Sequence, residues 1–272
     1  MKNKIIIVVA VVLCLAGIGL ILYPKVSDFI NRIHSSHAIQ DFIVDMEDLS
    51  DEEMRKQLAY AEEYNQRVLN GVYADVGNRL KDYYEILDFA NGMMGYIEIE
   101  KIDVELPIYH GVSADVLSKG VGHIPQSTLP IGGKGYHPVL TAHTGLPSAE
   151  LFTDLVELTE GDVFKIHVAD CELIYKVDQI KVVLPHEIED IEPVPDEDFC
   201  TLVTCTPYGI NSHRLLVKGV RIYSEDEISP IPLSDNSITF PIFPWVELSV
   251  FILSSMTVVR HIYSGVKREE EC

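Results

Sequence analysis

The amino-terminal run of uncharged residues constrains the fold of this chain most. Residues 5–23, IIIVVAVVLCLAGIGLILY, contain no charged side chain. At about 1.5 Å per residue, a helix of this length crosses a bilayer core of about 30 Å. Lys2 and Lys4 precede the run, which favours an amino terminus that stays in the cytoplasm. We therefore expect residues 1–25 to form a transmembrane signal anchor at the cell membrane, with the following chain on the extracellular face.

A cleavable signal peptide is the competing interpretation of this run. The run is long for the apolar region of a signal peptide, and Tyr23-Pro24-Lys25 offers no small-x-small cleavage site. An uncleaved anchor is the favoured interpretation.

A second apolar stretch lies at about residues 238–259, within a carboxyl-terminal tail of residues 226–272. It contains Pro241, Pro244 and Glu247, and a carboxylate at the centre of a bilayer costs about 2.5–3.5 kcal/mol. Basic residues follow the stretch, as expected if the chain returns to the cytoplasm. A second transmembrane helix and a docked or interfacial helix both stay open.

The charge balance and the spacing of metal-binding residue types exclude several classes of protein. The chain has 21 Lys and Arg residues against 42 Asp and Glu, which argues against a nucleic-acid partner because such proteins need a basic surface. The five cysteines form no CxxC pair, and the histidines fit no standard zinc spacing, so we expect no metal and no cofactor. The acidic run at residues 187–198 suggests calcium, but we interpret it as a solvated loop.

Two periodicities divide the exposed chain. Residues 26–91 begin with helical spacing, and Ser50 with Glu53 matches a capping box, so we expect a helical lead-in that ends in a loop candidate at residues 71–91. From about residue 92, apolar and polar residues alternate in short segments separated by Gly and Pro. This pattern predicts a mainly β fold, a closed or partly closed barrel over residues 92–225, interrupted by one helix at residues 148–158.

Three side chains at predicted strand ends are of the types that acyl-transfer chemistry requires. Cys205 ends the strand TLVTC, Arg214 opens the next strand nine residues later, and His143 follows another strand in LTAHTG. A nucleophilic cysteine needs a lowered thiol pKa or a partner base, together with donors for the developing oxyanion. Composition alone does not establish that the three residues meet in space.

These motifs resemble the sortase family of membrane-anchored cysteine transpeptidases. TLVTC with its downstream arginine and the upstream TAHTG carry the resemblance. Residues 106–111, 120–124, 145–154 and 206–211 are similar to class C, the pilus-assembling branch of Gram-positive bacteria. The resemblance covers about residues 27–225. It implies a sortase-like closed β-barrel with short helices, preceded by amino-terminal helices and a transmembrane anchor.

The resemblance also implies roles and partners. Cys205 would be the nucleophile that attacks an LPxTG-like sorting signal and forms a thioester. His143 would be the general acid and base, and Arg214 would bind the oxyanion or position the substrate. The implied partners are pilin subunits that bear the sorting signal and an acceptor lysine.

Other functions stay open beside pilin polymerisation. A housekeeping-type sortase would use a cell-wall precursor as acceptor, and a cysteine peptidase would use water. A catalytically silent, membrane-tethered assembly factor is disfavoured because Cys205, His143 and Arg214 are all present.

One feature of class C does not match. Such sortases usually carry a lid with an Asp-Pro-aromatic signature, and no Asp-Pro occurs in this chain. The stand-ins for lid residues are Tyr73, Asp75, Asp82 and Tyr83. We therefore expect an atypical lid region and a site that is less covered than in lidded relatives.

Overall fold

The computed structural model of the protein describes residues 2–71, 83–90, 92–187 and 189–223. Within the described residues, the segment up to Val26 belongs to one compact unit and the chain from Ser27 onward to another. The second apolar stretch expected at residues 238–259 lies outside the described residues.

A long helix, α1, occupies Lys2–Asp48. Among the described helices it is the one that is long and apolar enough to cross a membrane, and its apolar part begins at Ile5. Side chains such as Leu13 and Leu20 in that part are exposed, as they are in a helix that faces lipid. The helix therefore has the length and the surface of the expected membrane anchor.

Helix α2, Asp51–Leu69, begins with the capping box that the sequence predicts. The Ser50 Oγ accepts the Glu53 N–H at 3.3 Å and donates to the Glu53 carboxylate at 2.9 Å. The helix then packs Ala61, Tyr64 and Val68 into the main core. The cap at Ser50 therefore explains where α2 begins, and its apolar face explains how it packs on the barrel.

Within the described residues, eight strands form a closed barrel. The strands are β1 Met93–Ile99, β2 Val104–His110, β3 Val121–His123, β4 Val139–Thr141, β5 Val163–Val168, β6 Cys171–Val183, β7 Phe199–Thr206 and β8 His213–Ile222. Their order around the barrel is β1-β2-β3-β4-β7-β8-β6-β5. The pairs β2–β3 and β4–β7 are parallel and the others are antiparallel. The prediction of a mainly β, closed barrel is confirmed.

Short helical segments connect some of the strands. They are α3 at Ala114–Lys119 and 3₁₀ turns at Glu100–Ile102, Thr153–Glu157 and Glu189–Ile191.

Two apolar clusters hold the barrel and the lead-in helices together. The larger fills the barrel interior, where Phe152, Phe164 and Tyr175 are fully buried. The smaller packs Ile39 and Phe42 of α1 against side chains of β1 and β2. Burying large apolar side chains of this kind contributes about 1.5–3 kcal/mol each.

The prediction of a helix at residues 148–158 is wrong. Only Thr153–Glu157 is helical, and it is a 3₁₀ turn. Leu151 has a φ of 47°, which is left-handed and ends any right-handed helix there. The Phe152 N–H bonds to the His143 carbonyl at 3.1 Å, across the loop rather than along a helix. The apolar spacing reflects burial of Phe152 and Leu155 in the core.

Candidate active site

Cys205 and Arg214 face each other across two neighbouring strands. Cys205 is the penultimate residue of β7, Arg214 is the second residue of β8, and the antiparallel register pairs them directly. Directly paired residues have Cβ atoms about 4.5–5.5 Å apart, on one face of the sheet. The register therefore places the thiol and the guanidinium on the same side of the barrel wall.

The parallel pairing of β4 with β7 brings His143 to the same end of the barrel. Thr141 pairs with Val203, and both strands run in one direction, so His143 and Cys205 each lie two residues further on. Hydrogen bonds continue beyond the paired residues. The Ala142 N–H donates to the Val203 carbonyl at 3.3 Å, and the Thr204 hydroxyl donates to the Ala142 carbonyl at 2.9 Å.

The side chains of Cys205, His143 and Arg214 are partly exposed. Among the described residues, neither the Cys205 thiol nor the His143 ring makes a hydrogen bond, so both can engage a ligand. The Arg214 Nη1 donates to the carbonyls of His213 at 3.1 Å and Asn211 at 3.4 Å. A guanidinium has five N–H donors, so Arg214 keeps donors for a substrate oxygen.

The loop that carries His143 contacts the loop that follows Cys205. Gly145 has a φ of +71°, and a Cβ added there would lie 3.1 Å from Cε2 of Tyr208. The Gly145 N–H also donates to the Thr153 Oγ1 at 3.1 Å. Glycine therefore allows the Tyr208 ring to approach, and the sequence contains no local signal for this contact.

An apolar strip lies on the face of the sheet that carries Cys205. Because side chains alternate along a strand, Val203 and Leu216 share the face of Cys205 and Arg214. They form a cluster with Val139 that is separate from the barrel interior, and part-buried Ile191 packs against it. The side chains of Val139, Val203 and Leu216 are buried, so the strip supports the strands beneath Cys205 by packing and offers no open surface to a peptide.

The lid candidates lie apart from this arrangement or outside the described residues. Tyr73, Asp75 and Asp82 are not among the described residues. Tyr83 is fully buried, and its hydroxyl bonds to the His123 Nδ1 and the Gly111 N–H, each at 2.9 Å. Tyr83 is therefore a core residue in this structure.

His123 and His137 are buried histidines that lie in the core. Burial lowers the pKa of His123 to about 3 and that of His137 to about 4, so both rings are neutral near pH 7. The His137 Nε2 lies 2.7 Å from the Thr201 hydroxyl. Among the described residues, no three His, Cys, Asp or Glu side chains form a group that could hold a metal ion.

Comparisons with known proteins point to one family. The family model described as "Sortase domain" matches residues 97–222. Among curated proteins, Sortase D of Bacillus subtilis is 31% identical over 131 residues, which are 47% of this chain and 63% of that protein. The chain thus matches less than two thirds of that relative's length.

Solved structures of sortase C proteins cover more of the chain. Sortase C1 from Streptococcus agalactiae has a TM-score of 0.67 at 40% identity, over 70% of this chain and 100% of that chain. Sortase C of Clostridium perfringens, with the C-terminal cell wall sorting motif, has a TM-score of 0.62 at 41% identity, with the same coverage.

Proposed function

This chain belongs to the sortase family, a family of cysteine transpeptidases, and we propose that it joins pilin subunits through Cys205. The donor is an LPxTG-like sorting signal, and the acceptor is the side-chain amine of a pilin lysine. The observation that carries the proposal is the parallel register of β4 and β7 together with the Cys205–Arg214 cross-strand pair. The similarity to class C structures favours pilin as the substrate.

In the first step, Cys205 becomes acylated. Its sulfur attacks the threonine carbonyl carbon, and the thiol proton passes to His143. Arg214 donates hydrogen bonds to the oxygen that becomes negatively charged. The bond to the glycine nitrogen then breaks, and His143 returns the proton to the departing amine. A thioester and a free glycine amine are the products.

In the second step, the lysine amine attacks the thioester carbonyl. His143 accepts a proton from the amine, and the carbon–sulfur bond breaks. The sulfur regains a proton, so the enzyme returns to its starting state and the product is an isopeptide. No oxidant or reductant is consumed.

Transfer requires that the amine compete with water. The part-exposed Arg214 pairs with Cys205 across the strands, so its guanidinium can hold the thioester carbonyl in place for an aligned amine. We therefore assign substrate positioning to Arg214.

The proposed location is the cell membrane. Helix α1 supplies the anchor, and Lys2 and Lys4 keep its amino end in the cytoplasm. The barrel then works on the extracellular face, where sorted proteins emerge.

The remaining lid candidates, Tyr73, Asp75 and Asp82, lie outside the described residues. We propose that residues 71–84 cover Cys205 less than an Asp-Pro-aromatic lid does. Iodoacetamide alkylation of Cys205 should be fast in the full chain and hardly change when residues 72–82 are replaced by a Gly/Ser linker. Slow alkylation that rises steeply after the replacement would contradict open access.

The experiment that tests transfer uses the full chain in detergent micelles. A donor pilin that ends in the sorting signal is incubated with an acceptor pilin, and mass spectrometry maps each new bond. An isopeptide to a lysine supports the proposal; a bond only to an added cell-wall precursor, or hydrolysis alone, contradicts it. Cys205→Ala should abolish the bond, whereas Cys171→Ser, a part-buried thiol on β6, should not.

A further inference from the structure

The loop that carries His143 is held from outside by the first helix. We propose that Arg32, Asp28 and Glu150 form a positioning unit that fixes this loop, and through it His143, for acyl transfer. The inference rests on the proposed function, because it assigns residues that act on the same site. None of the three touches the reacting atoms, so each is a positioning residue.

Arg32 connects α1 to two loops of the barrel. Its Nη2 bonds to the Glu150 carboxylate at 3.2 Å, its Nη1 to Asp103 at 2.6 Å and its Nε to Asp28 at 3.2 Å. Asp28, one turn earlier on the helix, also accepts the backbone N–H of Glu150 at 2.8 Å. Glu150 is therefore held by the helix through both its side chain and its backbone.

A series of hydrogen bonds within the loop connects Glu150 to the backbone beside His143. The Glu150 carbonyl accepts the Thr153 N–H at 2.9 Å and also the Thr153 hydroxyl. The same hydroxyl oxygen accepts the Gly145 N–H at 3.1 Å, and the Phe152 N–H donates to the His143 carbonyl at 3.1 Å. A shift of Glu150 is therefore transmitted to the backbone on either side of the histidine.

The His143 loop has little regular structure of its own to keep its shape. Leu151 is left-handed, and the only helical part is the 3₁₀ turn that begins at Thr153. Contacts from outside the loop therefore matter for its position: Phe152 and Leu155 pack into the core, and α1 adds the ion pair and the hydrogen bond at Glu150. The barrel strands, in contrast, are fixed by their own ladders.

Removal of the Arg32 side chain should affect the catalytic rate and the free energy of unfolding to different extents. The Arg32 side chain is 44% exposed, and an ion pair at such a site adds little to the free energy of unfolding. Placement of a catalytic group is more demanding, since a shift of about 1 Å can cost about 100-fold in rate. Removing Arg32 should therefore change catalysis much more than it changes stability.

The test compares Arg32→Ala with Lys101→Ala in the full chain in detergent micelles. Lys101 is the control: its side chain is 41% exposed, and its bonds to Asp162 at 2.7 Å and Thr159 at 3.2 Å reach the far end of the same connection, beyond residues 143–153. Arg32→Ala should lower kcat for peptide transfer about 10-fold with KM unchanged, because Cys205 and Arg214 are untouched. Arg32→Lys should recover part of kcat, and Lys101→Ala should match the wild type.

A second measurement does not depend on activity. Hydrogen exchange, read by mass spectrometry on peptides covering residues 143–153, should be faster in Arg32→Ala than in Lys101→Ala, with β7 unchanged. Combining Arg32→Ala with Glu150→Gln should lower kcat no more than the larger single change, because either change alone removes the Arg32–Glu150 ion pair.

Unchanged kcat, or equal losses in both alanine variants, would overturn the positioning role. Unchanged exchange over residues 143–153 would overturn the contact itself. If the wild-type chain transfers no peptide, the proposed function fails, and the exchange result still decides whether the helix holds the loop.

Discussion

Replacement of Thr204 by valine tests the hydrogen bond that joins β7 to the His143 segment. Thr204 is 1% exposed, and its hydroxyl donates to the Ala142 carbonyl at 2.9 Å. Ala142 is buried as well, and its carbonyl has no other donor among the described residues. Valine has the same shape but no hydroxyl, so the carbonyl would stay buried without a partner. We expect Thr204→Val to lower the free energy of unfolding by about 1–3 kcal/mol.

Thr141→Val is the matched control on the same pair of strands. The Thr141 hydroxyl donates to the Val203 carbonyl at 3.0 Å, but that carbonyl also accepts the Ala142 N–H. No buried acceptor is orphaned, so the cost should fall near 0.5 kcal/mol, the low end for one hydrogen bond. The free energies of unfolding of both variants are measured by urea titration, with near-UV circular dichroism as the signal. Equal costs, or a Thr204→Val cost below about 0.5 kcal/mol, would refute the reasoning.

Three further predictions follow from the same structure. Arg214→Lys should lower kcat/KM for peptide transfer about 100-fold, because a point charge does not replace the planar guanidinium; a rate near the wild type would contradict this role. Ser50→Ala should cost about 1 kcal/mol in urea unfolding, because the Glu53 N–H loses its cap; an unchanged midpoint would contradict it. Burial lowers the pKa of His123 to about 3 and of His137 to about 4, so below about pH 6.5 the unfolded chain binds protons that the folded chain does not. Stability should therefore fall from pH 6.5 to 5.5, and a flat profile there would contradict the lowered pKa values.

Local patterns were sufficient to predict the lead-in helices and the strands. The capping box at Ser50 and the apolar face of α2 act within one or two helical turns, and alternation acts within one strand. The segment at residues 148–158 shows the limit of such patterns. Its apolar spacing is similar to that of a helix, but Leu151 takes a left-handed conformation and Phe152 bonds across the loop.

Pairings between distant residues cannot be predicted from such local patterns. Composition does not reveal that β4 lies beside β7, and the family resemblance is what led us to place His143 near Cys205. The Arg32–Glu150 contact joins positions 118 residues apart, and no motif in either segment predicts it. The contact of Tyr208 with Gly145 is of the same kind.

The central claim is that Cys205 carries the acyl group while His143 moves the proton. Intact-mass measurement of the full chain, after brief incubation with a sorting-signal peptide, tests it most directly. We predict an adduct equal to the peptide without its glycine end, labile to hydroxylamine and mapped to Cys205. In His143→Ala the adduct should form at least about 100-fold more slowly. An adduct on another residue, or an unchanged rate without His143, would contradict the account.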